Sequence, residues 1–101
     1  MTRMQPDARK ADILATAVML ANTEGYTTLT REKISTQAQC SPSLITHYWP
    51  MFSLLLKDVM AEAVRQELPA IVAAGLVLGE PDAMTAPMGL KQLAADILLG
   101  V

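Results

Sequence analysis

The stretch TREKISTQAQCSPSLITHYWP, residues 30–50, decides how the chain is read. It opens on Thr30, whose hydroxyl suits the N-cap of a helix. Residues 31–38 then place Ile34 and Ala38 four apart, on one helical face. Gln39, Cys40 and Ser41 make a tight turn. Ser41 is a second cap candidate, and Pro42 falls at the first helical position, where a missing N–H does no harm. A short helix over residues 42–48 puts Ile45 inward and leaves Ser43, Leu44, Thr46 and His47 outward, until Pro50 stops it. Two short helices joined by a three-residue turn predict a helix-turn-helix.

Helical patterning extends to both sides. Residues 8–24 carry Ile13, Leu14, Ala17, Leu20 and Ala21 at three- and four-residue spacing, with Pro6 and Asp7 as start signals and Gly25 as a left-handed stop. Residues 52–68 carry Leu55, Leu56, Val59, Ala63 and Val64, and Pro69 ends or kinks that helix. Residues 70–78 are apolar nearly all round, so that segment must be buried. Residues 79–87, GEPDAMTAP, read as a loop. A last helix over residues 88–99 aligns Leu90, Leu93, Ala94, Ile97 and Leu98. The predicted fold is all-α, a small helical bundle, with a helix-turn-helix part over residues 1–68 and a helical segment over residues 69–101.

The totals agree with this class. A chain of 101 residues holds one compact core. Its 51% hydrophobic content argues for folding, and 4% aromatics leave the core to aliphatic residues and Met, which favour helices. Cys40 is the sole cysteine, so no disulfide forms within the chain, as suits a reducing cytoplasm. The N-terminus has no apolar stretch of signal-peptide length, and residues 68–79 are too few to span a bilayer. A cytoplasmic protein without a membrane partner is the expectation. Net charge is −2, but it is unevenly spread. Residues 1–57 hold six bases against four acids, and residues 58–101 hold two bases against six acids. The front half admits an anionic partner.

Taken together, Ile13-Leu14, Ala17, Gly25-Tyr26, Leu29-Thr30, Ile34, Ala38, Ser41, Ile45, Tyr48-Trp49 and Leu55-Leu56 resemble, in order and spacing, the N-terminal DNA-binding domain of the TetR family of transcriptional regulators. The resemblance covers residues 8–63. It implies that residues 42–48 form the recognition helix and that Ser41, Ser43, Leu44, Thr46 and His47 fall where the family touches bases and phosphates. Tyr48 falls where a ring or hydroxyl often meets the backbone. Thr30 and Arg31 open the helix that contacts phosphate beside the groove. Arg3, Arg9 and Lys10 would form an arm along the DNA. The chain departs from the pattern in three places. Gln39 stands for the usual turn glycine, at a cost of about 1 kcal/mol in a left-handed conformation. Met51 and Phe52 stand where the family has a capping residue and a phosphate-binding lysine. Residues 58–101 are short for the family's C-terminal domain.

Several residues carry two readings. His47 is either a base or phosphate contact or an exposed polar residue, and Tyr48 is either core or contact. Trp49 reads as core and Cys40 as an inert thiol. Met51, Phe52 and Leu54 mark either local repacking or a protein-contact patch. Asp58 and Glu62, one turn apart, are explained by Lys57 and solvent. No catalytic constellation, glycine-rich phosphate loop or metal-ligand set is present, so neither enzyme activity nor a cofactor is expected. The expected function is a repressor that binds double-stranded DNA at a palindromic operator as a homodimer, joined through residues 70–78 and the last helix. No small-molecule inducer is expected, because the back half is too short to enclose a pocket as well as a seam. The rival reading is an interaction module, an anti-repressor or adaptor, that keeps the helix-turn-helix and pairs with another regulator. A small effector-sensing regulator is a third.

Overall fold

The computed structural model of the protein describes residues 6–100, and the side chains of residues 8–100. These residues form seven α-helices and one 3-10 turn, with no strand among them. Helix α1 spans Pro6–Glu24, α2 Arg31–Ala38, α3 Pro42–Tyr48, α4 Phe52–Arg65, α5 Pro69–Leu78, α6 Pro81–Met84 and α7 Met88–Leu99. One hydrophobic cluster runs from Ile13 to Ala94 and draws side chains from all seven helices and from the 3-10 turn.

Helix α1 buries Ile13, Ala17, Val18, Leu20 and Ala21, while Leu14 lies partly covered at the edge. Gly25 ends it with φ 119° and ψ 136°. That is an extended geometry at positive φ, open to glycine and costly for other residues, rather than the left-handed helical stop expected. The following 3-10 turn, Tyr26–Thr28, buries the Tyr26 ring, whose hydroxyl donates to the Leu56 carbonyl at 3.1 Å. The turn is thereby fastened to α4. Burial, and then the nearby Glu80 carboxylate, push the Tyr26 hydroxyl pKa upward.

Helices α2 and α3 start on their expected caps. Thr30 Oγ1 accepts from the Lys33 amide at 3.1 Å, and Ser41 Oγ accepts from the Leu44 amide at 3.3 Å. Between the helices, Gln39 adopts the left-handed conformation, φ 56° and ψ 49°. The Cys40 amide then reaches back to the Ser35 carbonyl at 3.0 Å, the six-to-one bond of a Schellman ending.

Helix α4 stops at Arg65, three residues before the expected end. Pro69 forces Leu68 into extended backbone, so the chain must unwind ahead of it. It does so through Glu67, at φ 56°, while the Leu68 amide bonds to the Ala63 carbonyl at 2.9 Å.

The apolar α5 buries Ile71, Val72, Ala73 and Gly75 within the chain itself, against α4, α6 and α7. Its large exposed side chains, Val77 and Leu78, are confined to its end. Most of the segment expected at an intermolecular seam is therefore consumed by the fold. Gly75 is the point of closest approach. A methyl group there would lie 2.6 Å from Ala83 Cβ and 2.7 Å from Met60 Cε. Residues 79–87, expected as a loop, contain α6. Glu80 caps it by accepting from the Ala83 amide at 3.0 Å, Pro81 occupies its first turn, and Ala83 is driven into the core against Gly75. Helix α7 buries Leu90 and Ala94, but Leu93, Ile97, Leu98 and Leu99 are exposed.

Candidate nucleic-acid interface

Helix α3 has two faces set by its spacing. Ile45 is fully buried, and Leu44 and Tyr48, one turn apart, lie partly covered against the core. Ser43, Thr46 and His47, three and four residues apart, share the outward face. Leu44, expected in the open, is thus half-buried, because a seven-residue helix seated on Ile45 turns both neighbouring turns of that side inward. The outward face is uncharged apart from what His47 carries, and it is rich in hydroxyls. The Ser41 and Ser43 hydroxyls lie 3.0 Å apart, and the Thr46 hydroxyl bonds back to the Pro42 carbonyl at 3.3 Å.

The far end of α3 is locked by Trp49. Its indole is buried, and its Nε1 donates to Asp58 Oδ2 on α4 at 2.8 Å. Lys10 of α1 places its ammonium 5.2 Å from the Trp49 ring centroid. The Tyr48 ring meets His47 and Trp49 edge-on, with centroids 5.3 and 5.9 Å apart. Asp58 is therefore a partner of Trp49, whereas Lys57 pairs with Asp82 at 3.5 Å and Glu62 with Arg65. The expectation that Lys57 and solvent account for Asp58 and Glu62 is corrected on both residues.

The expected basic arm is also redistributed. Arg3 lies outside the described residues. Arg9 belongs to α1 and is turned toward the α2–α3 turn, where its guanidinium donates to the Gln39 carbonyl and to Asp12, each at 3.3 Å. Arg9 thus satisfies a carbonyl freed by the end of α2, and Lys10 lies over Trp49.

Arg31 stands at the first position of α2, beside the junction of α3 and α4. Its guanidinium carbon lies 5.2 Å from the Phe52 ring centroid, and Nη2 reaches the Pro50 carbonyl at 3.5 Å. Its Nε is shut away from water with no partner among the described residues. Helix α4 begins without a side-chain cap, since Met51 has nothing to offer the open amides. Met51 and Leu54 are exposed here, while Phe52 is half-buried. Thr30 and Ser41 are exposed but already used as caps, and Cys40 packs partly against the core.

Arg31 thus sits against the bare start of α4, which follows the end of α3 after residues 49–51. Sequence reasoning missed the Trp49–Asp58, Arg9–Gln39 and Arg31–Phe52 pairings. Only the last had a signal, an aromatic residue standing where a cation was expected. No family model, curated protein or solved structure matches the chain. Among the described residues, no helix is long and apolar enough to cross a membrane, and no group of three His, Cys, Asp or Glu residues gathers to hold a metal ion.

Proposed function

We propose that the chain is a non-enzymatic, TetR-like transcriptional regulator of the cytoplasm that reads double-stranded DNA with α3 and represses by occupying its operator. The observation that carries this reading is the outward face of α3. Ser43, Thr46 and His47 stand clear of the core on a helix whose other side is anchored by Ile45 and Trp49. Hydroxyls, a threonine methyl and an imidazole are the groups that meet base edges and phosphates in a major groove. A buried anchor keeps such a face in register. In this reading α2 and α3 act as a helix-turn-helix, with α3 as the recognition helix.

One such helix offers few contacts, so the reading includes a homodimer on a palindromic site with half-sites about 34–36 Å apart. The exposed stripe of Leu93, Ile97, Leu98 and Leu99 supplies an apolar surface for the seam. No inducer is invoked.

One observation favours a second reading. Met51, 62% exposed, and Leu54 put apolar surface at the start of α4, as an adaptor that binds another regulator would.

The test is selection of bound fragments from source genomic DNA by the purified protein, followed by titration of the selected fragment at two salt concentrations. An enriched palindrome whose affinity falls steeply with salt supports the regulator. A folded protein that enriches nothing refutes it in favour of the adaptor.

A further inference from the structure

We infer that Phe52 is a positioning residue for DNA binding: its ring holds the Arg31 guanidinium at the α2–α4 junction as an un-neutralised cation for a backbone phosphate. The inference rests on the DNA-binding reading above.

Most other cations are held differently. Among the described residues, Arg9 pairs with Asp12, Lys33 with Glu24, Lys57 with Asp82 and Arg65 with Glu62. Each carboxylate both places its cation and cancels its charge. Arg31 has no carboxylate partner among the described residues, yet it is placed. Its guanidinium lies against the Phe52 ring, 5.2 Å from the centroid, and one amino group leans on the Pro50 carbonyl at the long distance of 3.5 Å. An aromatic face attracts a cation through its quadrupole and carries no net charge, so the field of the cation survives. The planar guanidinium presents several N–H donors in a fixed fork that matches a phosphate. Of these, among the described residues, Nε is enclosed without a partner and Nη2 has one weak contact. Nη1 has no hydrogen-bond partner among the described residues, and it is the group left to reach outward.

The surroundings agree. The Met51–Phe52 start of α4 has no side-chain cap, and it follows the end of α3 after residues 49–51. A phosphate drawn to Arg31 would therefore meet a cation and the positive end of a helix together. Phe52 acts only through Arg31.

The test is a double-mutant cycle on the fragment selected by the wild-type protein, read as affinity against salt. Arg31→Ala removes one cation from one phosphate in each half-site, and is expected to lower the slope of log K against log salt by about 0.9 per half-site. Phe52→Leu keeps an apolar side chain but removes the ring. It is expected to weaken binding about two- to fivefold per half-site, while the protein, with a somewhat lower melting temperature because Phe52 packs partly against the core, stays folded at the temperature of the titration. The same change in an Arg31→Ala background is expected to cost nothing further, and Phe52→Trp is expected to bind as wild type. Phe52→Lys in the Arg31→Ala background, which returns a cation to the junction, is expected to restore the slope. An unchanged slope in Arg31→Ala, or equal losses from Phe52→Leu in both backgrounds, overturns the inference while leaving DNA binding intact. A wild-type protein that binds no DNA instead removes the functional reading, and the inference with it.

Discussion

The indole Nε1 of Trp49 donates to Asp58 Oδ2 across 2.8 Å, joining the end of α3 to the second turn of α4. The bond has an orienting role, because α3 is only seven residues long and would not hold its angle alone. Removing the acceptor leaves a buried N–H unpaired. Asp58→Ala is expected to cost about 1–3 kcal/mol in urea unfolding. Trp49→Phe, which removes the donor too, is expected to cost no more in the Asp58→Ala background than the packing change alone. Additive losses in the cycle would show that the two residues act independently.

The two faces of α3 predict a clean division between stability and recognition. Ile45→Ala empties a fully buried site and is expected to destabilise the protein by about 2–5 kcal/mol. Thr46→Ala and His47→Ala lie on the outward face and are expected to change stability by no more than about 0.5 kcal/mol. They are expected to shift the preferred base sequence in a fragment selection. If both variants bind and select as wild type, α3 is not the reading element.

Gly75 tests the packing of the back half. Alanine favours a helix over glycine, so Gly75→Ala would stabilise an open site. Here the new methyl would stand 2.6 Å from Ala83 Cβ, which cannot swing away. Overpacking of this kind costs about 1–3 kcal/mol and outweighs the gain in propensity. A lower melting temperature for Gly75→Ala is expected, with partial recovery in Gly75→Ala/Ala83→Gly. A melting temperature at or above wild type would contradict the close approach.

What was legible in the chain was mostly local. Thr30, Ser41 and Pro42 announce helix starts because each acts within three residues of itself, and Ile34 and Ile45 sit at inward positions of short helices. The misjudged features depend on distant partners. Asp58 meets Trp49 nine residues away and Arg9 meets Gln39 thirty residues away, only because α1, α3 and α4 pack as they do. Glycine and two prolines made residues 79–87 look like a loop, yet one glutamate cap and one alanine seated on Gly75 suffice for a turn of helix. The apolarity of α5 showed that it must be covered, but not whether the cover came from this chain or another.

The Glu62 carboxyl sets an acid-stability test. Hydrogen bonds from Arg65, and next from Gln66, hold its pKa down to about 2 from an ordinary 4.5. A group whose pKa is depressed in the fold contributes stability that is whole above the unfolded value and is lost as pH falls toward the folded one. The wild-type melting temperature is therefore expected to fall between pH 4.5 and about 2 more steeply than that of Glu62→Gln. Because Arg65 is well exposed, added salt is expected to narrow the difference. Parallel curves would show that the pair contributes nothing to folding.

The exposed stripe on α7 tests the proposed dimer. Leu93 and Ile97 lie one turn apart and are about half exposed, next to Leu98 and Leu99, while Leu90 and Ala94 hold the helix to the core. The stripe can therefore change without emptying the interior. Leu93→Glu combined with Ile97→Glu would bring like charges together wherever two copies meet through this surface, in a segment that is already acidic. Sedimentation is expected to show a dimer for wild type and a monomer for the double variant, both with helical spectra. DNA binding by the monomer is expected to lose cooperativity between half-sites and about half of the salt slope. A double variant that still sediments as a dimer would place the seam elsewhere, and a wild-type monomer on its palindrome would remove the dimer from the proposal.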